Sequence, residues 1–225
     1  MEKRKIDIVF VIDGTGSMTP CIDGVKEAAR TFYQQFQEEM ILKGSEIELL
    51  RIKTIVFRDY KYDPEPIVES PFYEIDADLA DFEDNLNRIY ATGGGDDAEN
   101  GLEALHYAFK SEFVAKGPKD RQVIVLFTDA DALELKERAD CSNYPTDMVD
   151  TNGLIREWTS PQQQNSLNPR GKRLVVFAPA GSKYQEYCRS LKGSNFTAVE
   201  LNTGLHEFSF DSIIKLIAAS ASAEY

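Results

Sequence analysis

Short apolar runs alternate along the chain with stretches in which apolar residues recur every three or four positions. Ile6–Ile12 (IDIVFVI) is β-branched and nearly continuous, the pattern of a strand buried on both faces. Cys21–Met40 carries Val25, Ala28, Ala29, Phe32, Phe36 and Met40 at helical spacing, and Pro20 suits the first turn of that helix. Glu46–Phe57 alternates as a strand. Ile67–Ile75 reads as a weaker strand that pairs with it as a hairpin at a sheet edge. Leu79–Ile89 has the pattern of a helix capped by Asp76 or Asp78, and after the break at Ala91–Asp97 (ATGGGDD) helix is expected from Ala98 to about Phe113. Gln122–Phe127 and Arg173–Phe177 are further apolar strands, and Asp147–Trp158 and Lys183–Leu191 further helices. Phe196–Leu201 and Phe208–Ala219 complete the series as strand and helix. This order predicts one α/β domain over residues 1–225: a doubly wound, mostly parallel sheet with one antiparallel edge strand and helices on both faces.

In an open parallel sheet, ligands gather at the carboxyl ends of the strands. Three oxygen-rich loops belong there: Asp13–Ser17 (DGTGS), Thr92–Asp97 (TGGGDD) and Thr128–Asp129. Asp13, Thr15 and Ser17 sit at alternate positions, so an extended turn points their oxygens one way, and the intervening glycines permit the turn. Carboxylates and hydroxyls without His or Cys suit a hard cation such as Mg²⁺, which takes six oxygens at about 2.1 Å. DGTGS taken alone is equally an ordinary helix-capping turn. The DxDGT pattern of phosphoenzyme-forming phosphatases fails, because Val11 stands where the nucleophilic Asp is required, and a Walker-type loop fails for want of a Lys beside Ser17. A metal hydrolase would draw its base from Asp97 or Glu99, both of which are also acids favoured in a first helical turn.

DGTGSM (residues 13–18) together with FTDA (127–130) resembles the von Willebrand factor A domain family. Its metal-ion-dependent adhesion site carries Asp-x-Ser/Thr-x-Ser after the first strand and an Asp after the fourth. The resemblance implies a Rossmann-like fold. It also implies Mg²⁺, replaceable by Mn²⁺ or Ca²⁺, bound through Asp13, Thr15, Ser17 and a third-loop residue, with Asp129 acting through water. The family's third loop usually supplies a Thr. Counting back from Gly101-Leu102 puts Asp96 at that place, with Thr92 the alternative four residues earlier. GGGDDAEN resembles the GGGDxPE variant of the loop seen in some intracellular members, with Ala98 in place of Pro. A third carboxylate would leave the ion less electrophilic. The role implied is protein–protein interaction, not catalysis, with an Asp or Glu of the partner completing the metal sphere. Stand-alone intracellular members, bacterial ones among them, often act in multiprotein assemblies with an ATPase, kinase or phosphatase. Two readings from other classes are a metal-dependent hydrolase of phosphate or amide bonds and a metal-free scaffold whose acidic stretch is the interface.

Charge sharpens this picture. The chain has 225 residues, 25 basic and 38 acidic, for a net charge of -13. Such a balance argues against nucleic-acid binding, which needs clustered Lys and Arg. From Asp59 to Glu103 there are 14 acidic side chains against Lys61 and Arg88. This stretch is either a solvated acidic face or a field around a cation or basic partner. With a mean hydropathy of -0.37 and no run of 18 apolar residues, no membrane span is expected. The opening MEKRKIDIVFVID reads as a strand rather than a secretory signal. Cys21, Cys141 and Cys188 are odd in number and lack CxxC spacing, which fits reduced thiols in a cytoplasm. His106 and His206 are too few for a histidine metal site. Arg58-Asp59-Tyr60 is expected at the rim of the metal face. The insert over 131–171, with Trp158 and Gln162–Gln164, carries no evident role.

Overall fold

The first strand extends well beyond its apolar run: in the computed structural model, β1 spans Glu2–Asp13. Its side chains divide by parity. Ile6, Ile8, Phe10 and Ile12 enter one core layer, and Val9 and Val11 enter the other. Period-two alternation with both halves apolar leaves this strand no face for water. The structure describes residues 1–94, 98–160, 167–200 and 209–223. The expected positions Leu201, His206, Phe208 and Gln162–Gln164 lie outside them.

After β1 come a 3-10 turn at Gly16–Met18, α1 (Thr19–Leu42), β2 (Ser45–Phe57), β3 (Ile67–Glu69), β4 (Tyr73–Glu74) and α2 (Ile75–Arg88). Then follow β5 (Ala98–Glu99), α3 (Gly101–Phe109), β6 (Arg121–Phe127), β7 (Asp131–Ala132) and α4 (Thr151–Thr159). β8 (Lys172–Pro179), α5 (Lys183–Ser190), β9 (Ser194–Val199) and α6 (Phe210–Ser222) complete the order. The main sheet runs β3-β2-β1-β6-β8-β9, with β4 also on β2. β1, β2, β6, β8 and β9 are parallel, and β3 and β4 are antiparallel to β2. One face packs Phe32, Phe36 and Met40 of α1, Phe82 and Leu86 of α2 and Ile213–Ile217 of α6. The other packs α3, α4 and α5 through Leu102, Leu105, Phe109, Leu154, Trp158 and Tyr184. The doubly wound α/β fold with an antiparallel edge is therefore as the periodicity predicts.

Several local expectations are corrected. The strand expected over Ile67–Ile75 breaks at Ser70-Pro71 into β3 and β4, since Pro71 has no amide to give the ladder. Neither Asp76 nor Asp78 caps α2. The helix begins at Ile75, whose side chain is buried, and Asp78 lies inside it at a kink, its carboxylate accepting from the Glu74 amide at 3.0 Å. Ala98 does not open a helix. Ala98–Glu99 pairs in parallel with Asp131–Ala132, and α3 runs only from Gly101 to Phe109. The helix expected from Asp147 starts at Thr151, where the Asp150 carboxylate caps it by accepting from the Gly153 amide at 2.7 Å.

Trp158 turns out to be core: fully buried, with Nε1 donating to the Lys192 carbonyl at 2.9 Å and its ring 5.0 Å from Phe109. His106 is buried too, against Glu157 at 2.9 Å. The three cysteines are free thiols. Among the described residues no helix is long and apolar enough to cross a membrane.

Register delivers the chemistry to one edge. Ile12 pairs with Val56 on one side and Phe127 on the other, and Asp13 pairs with Phe57. One step further along, Asp13 faces Thr128 and Gly14 faces Arg58.

Candidate metal centre

Asp13 is fully buried at the end of β1, and both of its oxygens are engaged. Oδ1 accepts from the Thr15 hydroxyl at 2.6 Å and the Thr15 amide at 2.9 Å, while Oδ2 accepts from the Thr128 hydroxyl at 2.7 Å. Ser17 donates its hydroxyl to Oδ1 of Asp129 at 2.8 Å, and Asp129 is also fully buried. Four of the five residues read from the sequence as ligands thus stand together where β1 and β6 end. Burial pushes the Asp13 carboxyl up to about 6. The Thr15 and Thr128 bonds oppose this, and the neighbouring Asp129 charge adds to it.

The donor set suits a hard cation. A hydroxyl that gives its proton to a carboxylate turns its lone pairs away from it, so Thr15 and Ser17 have acceptor capacity to offer outward. Behind them, Asp13 and Asp129 supply negative charge without being exposed. Among the described residues no three His, Cys, Asp or Glu side chains gather closely enough to hold an ion by themselves. The set here is two carboxylates with hydroxyls between them, which is oxygen chemistry for Mg²⁺, Mn²⁺ or Ca²⁺ rather than for zinc.

Asp96 and Asp97 lie outside the described residues. Thr92, the alternative third-loop residue, is described: its amide donates to the Gly14 carbonyl at 2.9 Å, which lays the third loop against the first. Gly93 and Gly94 both take positive φ, +74° and +80°. An added Cβ on Gly94 would lie 3.1 Å from Cβ and 3.2 Å from the methyl Cγ2 of Thr15 and 3.3 Å from Oε1 of Glu99, so a side chain there would crowd Thr15. Glu99, one of the two acids considered as a hydrolase base, is 2 % exposed beneath this loop. The sequence places Thr128 in an oxygen-rich loop but not its bond to Asp13, and the packing role of Gly94 escapes it. That bond follows only from the β1–β6 register.

Behind the centre, the N-terminal turn of α3 buries Glu103 completely, where Oε1 accepts from the Tyr144 hydroxyl at 2.7 Å. Burial raises the Glu103 pKa, and the Tyr144 and Asn100 side chains hold it down. A carboxyl whose pKa is raised by folding binds its proton more tightly folded than unfolded. Stability is therefore lost as pH climbs from the ordinary Glu range through the folded value. Glu103→Gln keeps an acceptor for Tyr144 and removes the buried charge. Thermal melts are expected to show the variant more stable than the parent at pH 8, with the difference shrinking towards pH 4. A variant less stable at both pH values would contradict this.

Comparison with known proteins agrees with the geometry. A family model described as "von Willebrand factor A domain" matches residues 7–144. Among solved structures, the pilus adhesin SpaC from Lactobacillus rhamnosus GG superposes with a TM-score of 0.58 at 12% identity, covering 97% of this chain and 31% of that one. Its open conformation gives 0.53 at 11% identity, with 97% and 30% covered. A von Willebrand factor type A protein from Catenulispora acidiphila gives 0.54 at 13% identity, with 97% and 43% covered. At such identities the likeness is one of fold, and this chain spans less than half the length of each of those chains. No curated protein matches the sequence.

Proposed function

The chain belongs to the von Willebrand factor A domain family, and from that premise we propose that it is a divalent-metal-dependent protein–protein interaction module. Members of this family often serve as interaction modules. The observation that carries the metal reading is the pair of hydroxyls, Thr15 and Ser17, each donating to a different buried carboxylate, at 2.6 and 2.8 Å. In this reading Thr15 and Ser17 bind Mg²⁺ directly, and Mn²⁺ or Ca²⁺ can replace it. Asp96 or Thr92 adds the third-loop oxygen. Asp13 and Asp129 orient the hydroxyls and act from behind, Asp129 through water. The bound ion supplies a positive centre with a position open to an Asp or Glu of the partner.

The same proposal takes the chain to work in a multiprotein assembly with an ATPase, kinase or phosphatase. It also takes the location to be cytoplasmic, in keeping with three free thiols.

Carboxylate completion is testable without knowing the partner. Mn²⁺-loaded protein enhances water-proton relaxation as long as water sits on the ion. Excess acetate is expected to lower that enhancement, and acetamide, its neutral isostere, to leave it unchanged. Acetate acting no differently from acetamide would overturn the carboxylate step.

A further inference from the structure

We propose that Arg58 is a positioning residue of the metal centre, a brace that holds the first and third metal loops together. The inference rests on the reading that these loops bind a cation.

Arg58 follows β2 and is 9 % exposed. Its described acceptors are all backbone carbonyls, and they belong to both loops. Nε donates to the Gly14 and Thr92 carbonyls, each at 3.2 Å, and Nη2 donates to the Tyr90 carbonyl at 3.0 Å. Gly14 is the peptide between Asp13 and Thr15, so the guanidinium grips the segment that aims the Thr15 hydroxyl. Contact is close: a Cβ on Gly14 would lie 3.0 Å from Cζ of Arg58 and 2.6 Å from Cγ1 of Val56. The Thr92 amide, donating to that same Gly14 carbonyl, closes the junction at 2.9 Å.

The segment that follows holds the brace in place. The Arg58 amide donates to the Pro66 carbonyl at 2.8 Å. Asp59 is fully buried and clamped by Arg138, with Nε at 3.0 and 3.1 Å from its two oxygens and Nη2 at 2.7 Å from Oδ2. Asp63 lies directly against Gly93, in the space a Cβ there would occupy. Residues 58–63 and the Arg138 clamp thus tie the third loop to the insert after β6.

Nε alone bridges the carbonyls of the two loops while Nη2 of the same rigid plane holds Tyr90; a Lys ammonium gathers its donors on one freely rotating nitrogen and does not reproduce that fixed three-carbonyl arrangement. The contribution of Arg58 to binding is pre-organisation, which reduces the ordering that the ion must otherwise bring about.

The test is calorimetric Mn²⁺ titration of the full chain, of Arg58→Lys and of Arg58→Gln, beside amide hydrogen exchange without metal. Partners that orient metal ligands contribute about 10–100-fold in affinity. Both variants are expected to raise the Kd by about that factor, Arg58→Lys despite its retained charge. Exchange at the Thr92 amide is expected to quicken while the Val9 and Val125 amides stay protected. Should Arg58→Gln fail to fold, Arg58→Lys carries the test. An unchanged Kd, or loss of protection across Thr92, Val9 and Val125 together, would overturn the proposal by making Arg58 a general stabiliser. If the parent binds no Mn²⁺, the metal reading fails on its own, and exchange at Thr92 still decides whether Arg58 holds the loops.

Discussion

Asp13→Ala is expected to weaken Mg²⁺ binding by about 100-fold or more, the upper end of what ligand-orienting partners contribute. Three donors lose their acceptor at once: the Thr15 hydroxyl, the Thr15 amide and the Thr128 hydroxyl. The Thr15 hydroxyl is then free to rotate, and the negative charge behind it is gone. Asp13→Asn separates these losses. It keeps one acceptor oxygen but presents an amide N–H₂ where a hydroxyl now donates, so it too is expected to bind poorly. Its stability is expected to move the other way. Burial raises the Asp13 pKa to about 6, so above that pH the folded protein carries a carboxylate that would be better solvated unfolded. Metal-free Asp13→Asn is therefore expected to melt at or above the parent temperature at pH 8. A site residue that lowers stability while enabling binding is the usual trade-off of a functional centre. Calorimetric titration and thermal melts in EDTA check both halves. Parental affinity in Asp13→Ala would contradict the first, and a lower melting temperature for Asp13→Asn the second.

Trp158→Ala is expected to do the reverse. The indole is fully buried between α3 and β8, makes a hydrogen bond to the Lys192 carbonyl and lies under the Lys172 ammonium, whose Nζ is 5.0 Å from the ring. Removing it leaves a large cavity and an unmet carbonyl, at a cost of about 3–5 kcal/mol. For a chain of this size that lowers Tm by roughly 10 °C. The hydrogen bond and ring contacts of Trp158 are to Lys192, Phe109 and Lys172, none of them among the described residues of the metal loops. At a temperature where the variant is folded, its metal Kd is expected to equal the parent's. An unchanged Tm would contradict its core role, and a changed Kd its independence from the site.

These two residues also show what the sequence makes legible. Strands buried on both faces leave a continuous apolar run, so Ile6–Ile12 and Gln122–Phe127 announce a central parallel sheet. The loops that must follow them, DGTGS and TD, then read as one edge. Elements that depend on distant partners do not announce themselves. Ala98–Glu99 looks helical locally, but its partner is Asp131–Ala132, more than thirty residues away. α3 opens at Gly101, where Tyr184 leaves no room for a Cβ: its hydroxyl would lie 2.0 Å from one. Trp158 sits beside a polar Gln-rich stretch and so reads as part of an insert, although its side chain points into the core.

Arg58 reads as a single rim charge because its acceptors are backbone carbonyls, which leave no trace in side-chain identity. The 131–146 segment is legible only as irregular chain. Its Arg138 and Tyr144 belong to the scaffold of the site because Asp59 and Glu103, far away in sequence, bury charges that need them.

The central claim is that a divalent ion sits on the Thr15 and Ser17 hydroxyls. Crystals of the metal-stripped protein soaked in Mn²⁺ and measured at an anomalous wavelength test it most directly. The expected result is one strong peak at direct-bonding distance from Thr15 Oγ1 and Ser17 Oγ, with Asp13 and Asp129 behind them. A map with no peak there, or with Mn²⁺ only on the exposed acids of α2, would contradict it.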